Sequence, residues 1–136
     1  MMEHPSRRST NVLGRHLFAD LYGIDAAQLT SEPQLVKALL EALRGAGFNI
    51  INHLSHRFPG QEAGVTGIAL LSESHAAFHT YPEHGYMALD IFSCGTPSPD
   101  AALAAMVEVL RPQRVETSTQ RRGGEIGDAV LAIQRE

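Results

Sequence analysis

Ser72-Glu73-Ser74-His75 sets two hydroxyls, a carboxylate and an imidazole side by side, with His79 five residues beyond Ser74 and Cys94 twenty beyond it. Three chemistries could use such a set. A metal centre is suggested by His53, His56, His75, His79 and His84, five of the seven histidines within 32 positions. The spacing is not H-E-x-x-H, however, and no cysteine pair accompanies it. A serine hydrolase is suggested by Ser74 beside His75. Yet Ser74 does not stand in G-x-S-x-G, and no helical pattern follows it to build a nucleophile elbow. The third chemistry is carried out on the backbone. A serine hydroxyl can attack the carbonyl of the preceding residue and turn the amide into an ester, given a strained peptide, a base and donors for the oxyanion. Removal of the serine α-proton then expels the ester carboxylate, and the new N-terminal dehydroalanine hydrolyses to a pyruvoyl group. That ketone can take a substrate amine as a Schiff base and act as an electron sink for decarboxylation.

The elements that must hold these residues follow from hydrophobic period. Gly14 to Tyr22 alternates, with Leu17, Ala19 and Leu21 on one side, and predicts a strand. Ala26 to Thr30 adds a short helical turn or loop. Ser31 reads as a helix N-cap with Gln34 as capping-box partner, and Leu35, Val36, Leu39, Leu40 and Leu43 form one apolar stripe. Gly45 or Gly47 stops that helix. Phe48 to Phe58 predicts a strand with apolar residues on both faces, hence one covered on both sides. Pro59–Gly64 is a loop, Val65 to Ser74 a central strand and His75 to Tyr81 the next one. Pro82 to Gly85 turns the chain into a further strand, Tyr86 to Cys94. Ser98-Pro99-Asp100 starts a second helix, with Leu103, Met106, Val107 and Leu110 as its stripe, and Pro112 ends it. Arg114 to Arg121 is a last strand, and Ile126 to Ile133 a weakly amphipathic segment. Strands in hairpin succession with two singly amphipathic helices predict an α+β two-layer sandwich, a mainly antiparallel sheet with two helices on one face.

With 136 residues the chain is one domain by length, and its core is small enough that oligomerisation would support it. A net charge of −4 argues against nucleic acid as a partner. One cysteine allows no disulfide within the chain, and a lone thiol suits a reducing cytoplasm. No apolar run approaches the roughly 18 residues of a membrane span. Residues 1–11 carry Arg7-Arg8 without an apolar stretch behind them, so we expect a disordered tail and no signal peptide.

Taken together, several stretches carry a family pattern. Gly64-Val65-Thr66-Gly67, Leu71-Ser72-Glu73-Ser74-His75, His79-Thr80-Tyr81-Pro82-Glu83-His84-Gly85-Tyr86 and Asp90-Ile91-Phe92-Ser93-Cys94-Gly95 resemble the small prokaryotic S-adenosylmethionine decarboxylases. Gly14-Arg15-His16-Leu17 and His56-Arg57-Phe58 also look like that family, and the resemblance covers about residues 12–128, leaving 129–136 as a C-terminal tail. It implies a pyruvoyl-dependent, self-processing proenzyme that works as a homodimer of cleaved protomers, needs no metal, external cofactor or membrane, and makes the aminopropyl donor for spermidine. It further implies cleavage between Glu73 and Ser74, giving a β chain of residues 1–73 and an α chain of residues 74–136. By the same resemblance Ser74 becomes the pyruvoyl group, His79 is the processing base with Thr66 in support, and Cys94 is the proton donor. Glu83 holds the ribose hydroxyls, and Phe58 and Tyr81 lie at the adenine. Thr66 stands where the family often has Ser, Tyr81 where it often has Trp, and the Pro59–Gly64 loop is slightly longer than usual. Two other readings stay open at this stage: a pyruvoyl-dependent arginine or ornithine decarboxylase on the same scaffold, and a non-processing regulatory homologue.

Overall fold

The computed structural model describes residues 12–124; the expected tails and the Ile126–Ile133 segment lie outside the described residues. The strands are β1 (Gly14–Tyr22), β2 (Ile50–Arg57), β3 (Val65–Leu71), β4 (Ser74–Tyr81), β5 (Tyr86–Ser93) and β6 (Arg114–Arg122). The helices are α1 (Ala26–Leu29), α2 (Glu32–Gly45) and α3 (Pro99–Leu110), with a 3-10 turn at Pro82–His84. The six strands form one sheet in the order β2-β3-β4-β5-β1-β6, and every neighbouring pair is antiparallel. The α+β architecture predicted from the sequence is therefore the one observed.

One face of the sheet is covered. Leu17, Ala19, Leu21, Phe78, Met87, Leu89 and Ile91 meet Leu35, Leu39 and Leu43 of α2 and Ala102, Met106 and Leu110 of α3 in a single core. On β4 burial alternates residue by residue, with Ser74, Ala76, Phe78 and Thr80 under the helices and His75, Ala77, His79 and Tyr81 on the other face. That second face is open and partly apolar: Phe18, Leu54, Ile68, Leu70 and Tyr81 are all exposed.

Three local expectations fail. Val65 to Ser74 is not one strand: β3 ends at Leu71, Ser72 and Glu73 turn the chain, and Ser74 opens β4 across from Leu71. Hydrophobicity runs unbroken through Leu70-Leu71, and the turn carries neither Gly nor Asn, so period alone could not find it. Nor is β3 central, since β4 and β5 occupy the middle. Second, β2 is not covered on both sides. It is an edge strand, and its residues are mostly exposed, Leu54 at 73%. Third, Ser31 caps α2 by position, but its side chain makes no cap bond. The carboxylate of Glu32 instead accepts from the Ser55 hydroxyl at 2.5 Å, tying the helix start to β2.

Two glycines of the Gly64-Val65-Thr66-Gly67 stretch are explained by close approach. A Cβ on Gly64 would overlap the Thr80 carbonyl oxygen, and one on Gly67 would sit 2.5 Å from the Phe78 ring it pairs with. Beside them the buried Thr80 hydroxyl accepts from the Val65 N–H and donates to the Leu29 carbonyl, each at 2.8 Å. It thus joins β3, β4 and the end of α1. Thr80→Val keeps the volume and removes both bonds, leaving a buried amide without its partner. We expect a loss of about 1–3 kcal/mol in urea unfolding, with the fold retained by circular dichroism; unchanged stability would show that the hydroxyl carries no net load.

Candidate active site

The residues singled out in the sequence gather in two places. The first is the turn between β3 and β4. Ser74 is buried at 8% exposure, and its Oγ accepts from the Cys94 backbone N–H at 3.1 Å. Cys94, half-buried, follows the last residue of β5 directly. Glu73, just before Ser74, takes φ of +56°, a left-handed conformation that costs a residue with a Cβ about 1–2 kcal/mol. Glu73, Ser74, His75, Phe92 and Arg122 surround a depression of about 300 Å3.

The second place lies at the other end of the same strands. Thr66 and His79 are paired across β3 and β4, and the Thr66 hydroxyl and His79 Nδ1 share a hydrogen bond of 3.0 Å. Phe58, Gly64, Thr66, His79, Tyr81 and Glu83 line one cleft of about 450 Å3. The loop at its rim is fixed by Arg57, whose guanidinium donates to the carbonyls of Thr30, Gly60 and Gln61. Tyr81 stacks on Tyr86, Tyr86 on Tyr22, and the Arg114 guanidinium lies 4.2 Å over the Tyr22 ring.

One chain does not bring the two places together. Ser74 and His79 are five residues apart on β4, so their side chains leave opposite faces, and at about 3.3 Å per residue they stand roughly 17 Å apart along the strand. The cleft holds Thr66, His79, Glu83, Phe58 and Tyr81 but lacks Glu73, Ser74 and Cys94. The five histidines between residues 53 and 84 are likewise dispersed over β2, β4 and the 3-10 turn, and among the described residues no three His, Cys, Asp or Glu groups could hold a metal ion. No helix among them is long and apolar enough to cross a membrane. Sequence reasoning placed Arg57 in the family pattern without giving it a role, and missed Asp20. The pairing register could have found the latter, since Asp20 lies across from Ala88, two residues from Tyr86, on the same face.

Comparison with known proteins decides what this arrangement belongs to. Residues 15–123 match the family described as S-adenosylmethionine decarboxylase. The S-adenosylmethionine decarboxylase proenzyme of Methanococcus maripaludis is 38% identical over 112 residues, 82% of this chain and 90% of that one. The proenzyme of Pyrobaculum arsenaticum is 41% identical over 106 residues, 77% of this chain and 84% of that one. The chain belongs to the S-adenosylmethionine decarboxylase family. It is an adenosylmethionine decarboxylase proenzyme of the small prokaryotic type, a carboxy-lyase of polyamine biosynthesis. The crystal structure of the adenosylmethionine decarboxylase from Aquifex aeolicus superposes with a TM-score of 0.76 at 31% identity, over 89% of this chain and 99% of that one. The Trypanosoma brucei decarboxylase monomer shares the fold at 14% identity, with a TM-score of 0.54 over 76% of this chain and 44% of that one.

Within the decarboxylase, His16 stands on the open face beside the Ser74 end. Its ring stacks on Phe18 at 4.2 Å and meets His75 and Phe92 edge-on. The Arg122 guanidinium lies 3.4 Å from Nδ1 and can only donate, so Nδ1 accepts and the ring proton sits on Nε2, which is buried without a partner among the described residues. Burial lowers the His16 pKa from its ordinary value, with His75 and Arg122 adding to the effect and Asp90 opposing it. A depressed imidazole is neutral in both states at neutral pH. As pH falls below about 6.5 the unfolded chain binds a proton that the folded chain resists, so stability is lost. We expect the thermal midpoint to fall more steeply between about pH 7 and pH 5 in the native protein than in His16→Gln; equal slopes would show that the folded ring protonates freely.

Proposed function

We propose that the proenzyme cuts itself at Glu73–Ser74 and that Ser74 supplies the pyruvoyl group. Residues 1–73 and 74–136 then form the two chains of each protomer. The observation that carries this reading is the coincidence of three features at one bond: a left-handed Glu73, a buried Ser74 hydroxyl, and a backbone donor from Cys94 on that hydroxyl. The left-handed conformation of Glu73 raises the energy of the intact chain beside the bond to be broken. The Cys94 N–H stabilises negative charge on Oγ as its proton leaves. Attack on the Glu73 carbonyl moves the acyl group from nitrogen to oxygen, and loss of the Ser74 α-proton releases Glu73 as a free carboxylate.

Once formed, the pyruvoyl ketone supplies an electron sink for the loss of CO2 from a substrate joined through its amine. The chain's own residues do the rest. The Cys94 side chain, on the residue whose backbone already touches Ser74, returns a proton to the substrate carbon that has lost CO2. Glu83 can accept from both hydroxyls of a ribose, and Phe58 and Tyr81 offer aromatic faces to an adenine. A diol acceptor between aromatic faces suits the adenosyl part of S-adenosylmethionine and has no counterpart in arginine or ornithine, which favours the first substrate over the other two.

Thr66 and His79 act on Ser74 of a second copy. A two-fold axis lying across the strands, between two open faces, sets the Thr66–His79 end of one sheet against the depression that Glu73, Ser74, His75, Phe92 and Arg122 line at the end of the other, from which the Glu73–Ser74 bond is reached past His75 and Phe92 on the open face. It also buries Phe18, Ile68 and Leu70, which a single chain leaves exposed. Each site of such a homodimer takes the bond and the thiol from one protomer and the imidazole from its partner.

Intact-mass measurement should find two chains meeting at residues 73 and 74, the second with a blocked N-terminus, and only full-length Ser74→Ala. A native chain that stays whole after prolonged incubation would overturn the reading. For the dimer, Ser74→Ala and His79→Ala are each expected to be inactive, whereas their coexpression should restore about a quarter of native activity. Random pairing makes half the dimers mixed, each with one complete site. No recovery in a verified mixed dimer would place both groups in one protomer.

A further inference from the structure

We propose that Asn49 is a positioning residue for self-cleavage, holding the Ser72–Glu73 turn in the form that keeps Glu73 left-handed beside the Glu73–Ser74 bond. The inference rests on the cleavage site proposed above. Two-residue hairpin loops fit the right-handed twist of their strands when the first or both loop residues have positive φ. Here only the second does: among the described residues Glu73 and Arg111 are the non-glycine residues with positive φ, and Ser72 is not one of them. Something must therefore hold the loop in a form that neither strand twist nor side-chain preference favours.

Asn49 supplies the hold from outside the hairpin. It stands just before β2, the edge strand beside β3. The Ser72 N–H donates to the Asn49 carbonyl at 3.0 Å, and Asn49 Nδ2 donates to the Ser72 hydroxyl at 2.7 Å. Both the backbone and the side chain of Ser72 are thus tied to the residue that leads into β2, while the Leu71–Ser74 pair closes the other side. Glu73 alone remains to absorb the closure of the loop.

A register shift in β2 puts Asn49 in place. Asn52 pairs with Leu70, but Ile50 pairs with Leu71, so Ile51 is an extra residue in the ladder. Without that bulge the register of Asn52 and Leu70 would set Asn49 opposite Glu73; with it Asn49 falls opposite Ser72. Bulges beside reacting groups commonly re-aim a side chain in this way. Asn49 and Ser72 are both exposed, so their bond adds little to global stability, and its effect is local to the turn.

The test is an intact-mass time course begun at cell-free synthesis, comparing the native chain with Asn49→Ala, Ser72→Ala, the double variant and Asn49→Asp. Each alanine variant should cleave about three- to tenfold more slowly, as the loss of one exposed hydrogen bond from the reacting conformation implies. The double variant should be no slower than either single one, because the two substitutions remove the same interaction. Asn49→Asp should cleave near the native rate, since the Ser72 hydroxyl can donate to the carboxylate. After cleavage is complete, Asn49→Ala should decarboxylate S-adenosylmethionine with native kcat and KM, an outcome that general damage to the fold would not give. Native-rate cleavage in Asn49→Ala, or additive slowing in the double variant, overturns the inference. A native chain that never cleaves overturns the cleavage site itself, and the two failures are thereby told apart.

Discussion

Consecutive side chains of a strand point to opposite faces, and on β4 that rule separates the two candidate clusters. Ser74 faces the helices and His79 faces away, at opposite ends of an eight-residue strand. No rotamer choice brings them together, because the separation is built into the backbone. The rest of the molecule follows from that division. The helices cover the face that carries Ser74 and leave the face that carries His79 open and apolar. Under the proposed roles a single chain has an uncovered face and two incomplete clusters. The proposed dimer resolves both deficits at once, covering the exposed Ile68 and Leu70 and setting each cluster against its complement.

The turn before Ser74 shows how a fold can hold backbone strain next to one bond. A left-handed glutamate survives only where its surroundings over-determine it. Here the ladder between β3 and β4 fixes one side, and the contact of Asn49 with Ser72 fixes the other. The strain of about 1–2 kcal/mol at Glu73 is far too small to break an amide. It matters because it belongs to the intact chain only. In the proposed cleavage Glu73 would become a free chain end whose backbone relaxes, and rejoining would require the strained form to be rebuilt.

The sequence showed the architecture because its strands alternate and its helices each have one stripe, and period is a local signal. It identified Ser74, His79 and Cys94 as a set only through a family pattern, since each alone reads as an ordinary strand residue. The turn at Ser72–Glu73 was illegible because it lacks the glycine or asparagine that marks a hairpin. The exposure of β2 was illegible because its apolar residues, Ile51 and Leu54, are those of a covered strand. They sit beside Ile68 and Leu70 on an edge that a single chain leaves bare. The grouping of Thr66 with His79, apart from Ser74, is a matter of register, which pairwise spacing along the chain does not encode.

Register also explains how the cleft tolerates its departures from the family pattern. Thr66 keeps the hydroxyl, and its added methyl stands on a strand that welcomes β-branching, so the bond to His79 is retained. Tyr81 is smaller than tryptophan but is not loose. It ends a stack that runs through Tyr86 and Tyr22 to the Arg114 guanidinium, and the Tyr86 hydroxyl is anchored at 2.5 Å on the Asp20 carboxylate. Burial, then the bond to Asp20, pushes the Tyr86 pKa well above its ordinary value, so that phenol stays a neutral donor throughout the working range. Tyr81 is therefore backed by a ring that cannot ionise away from its anchor. In the proposed adenine site, the stack behind Tyr81 lets its smaller ring serve where the family often has tryptophan, because part of the ordering cost of stacking has already been met by the fold.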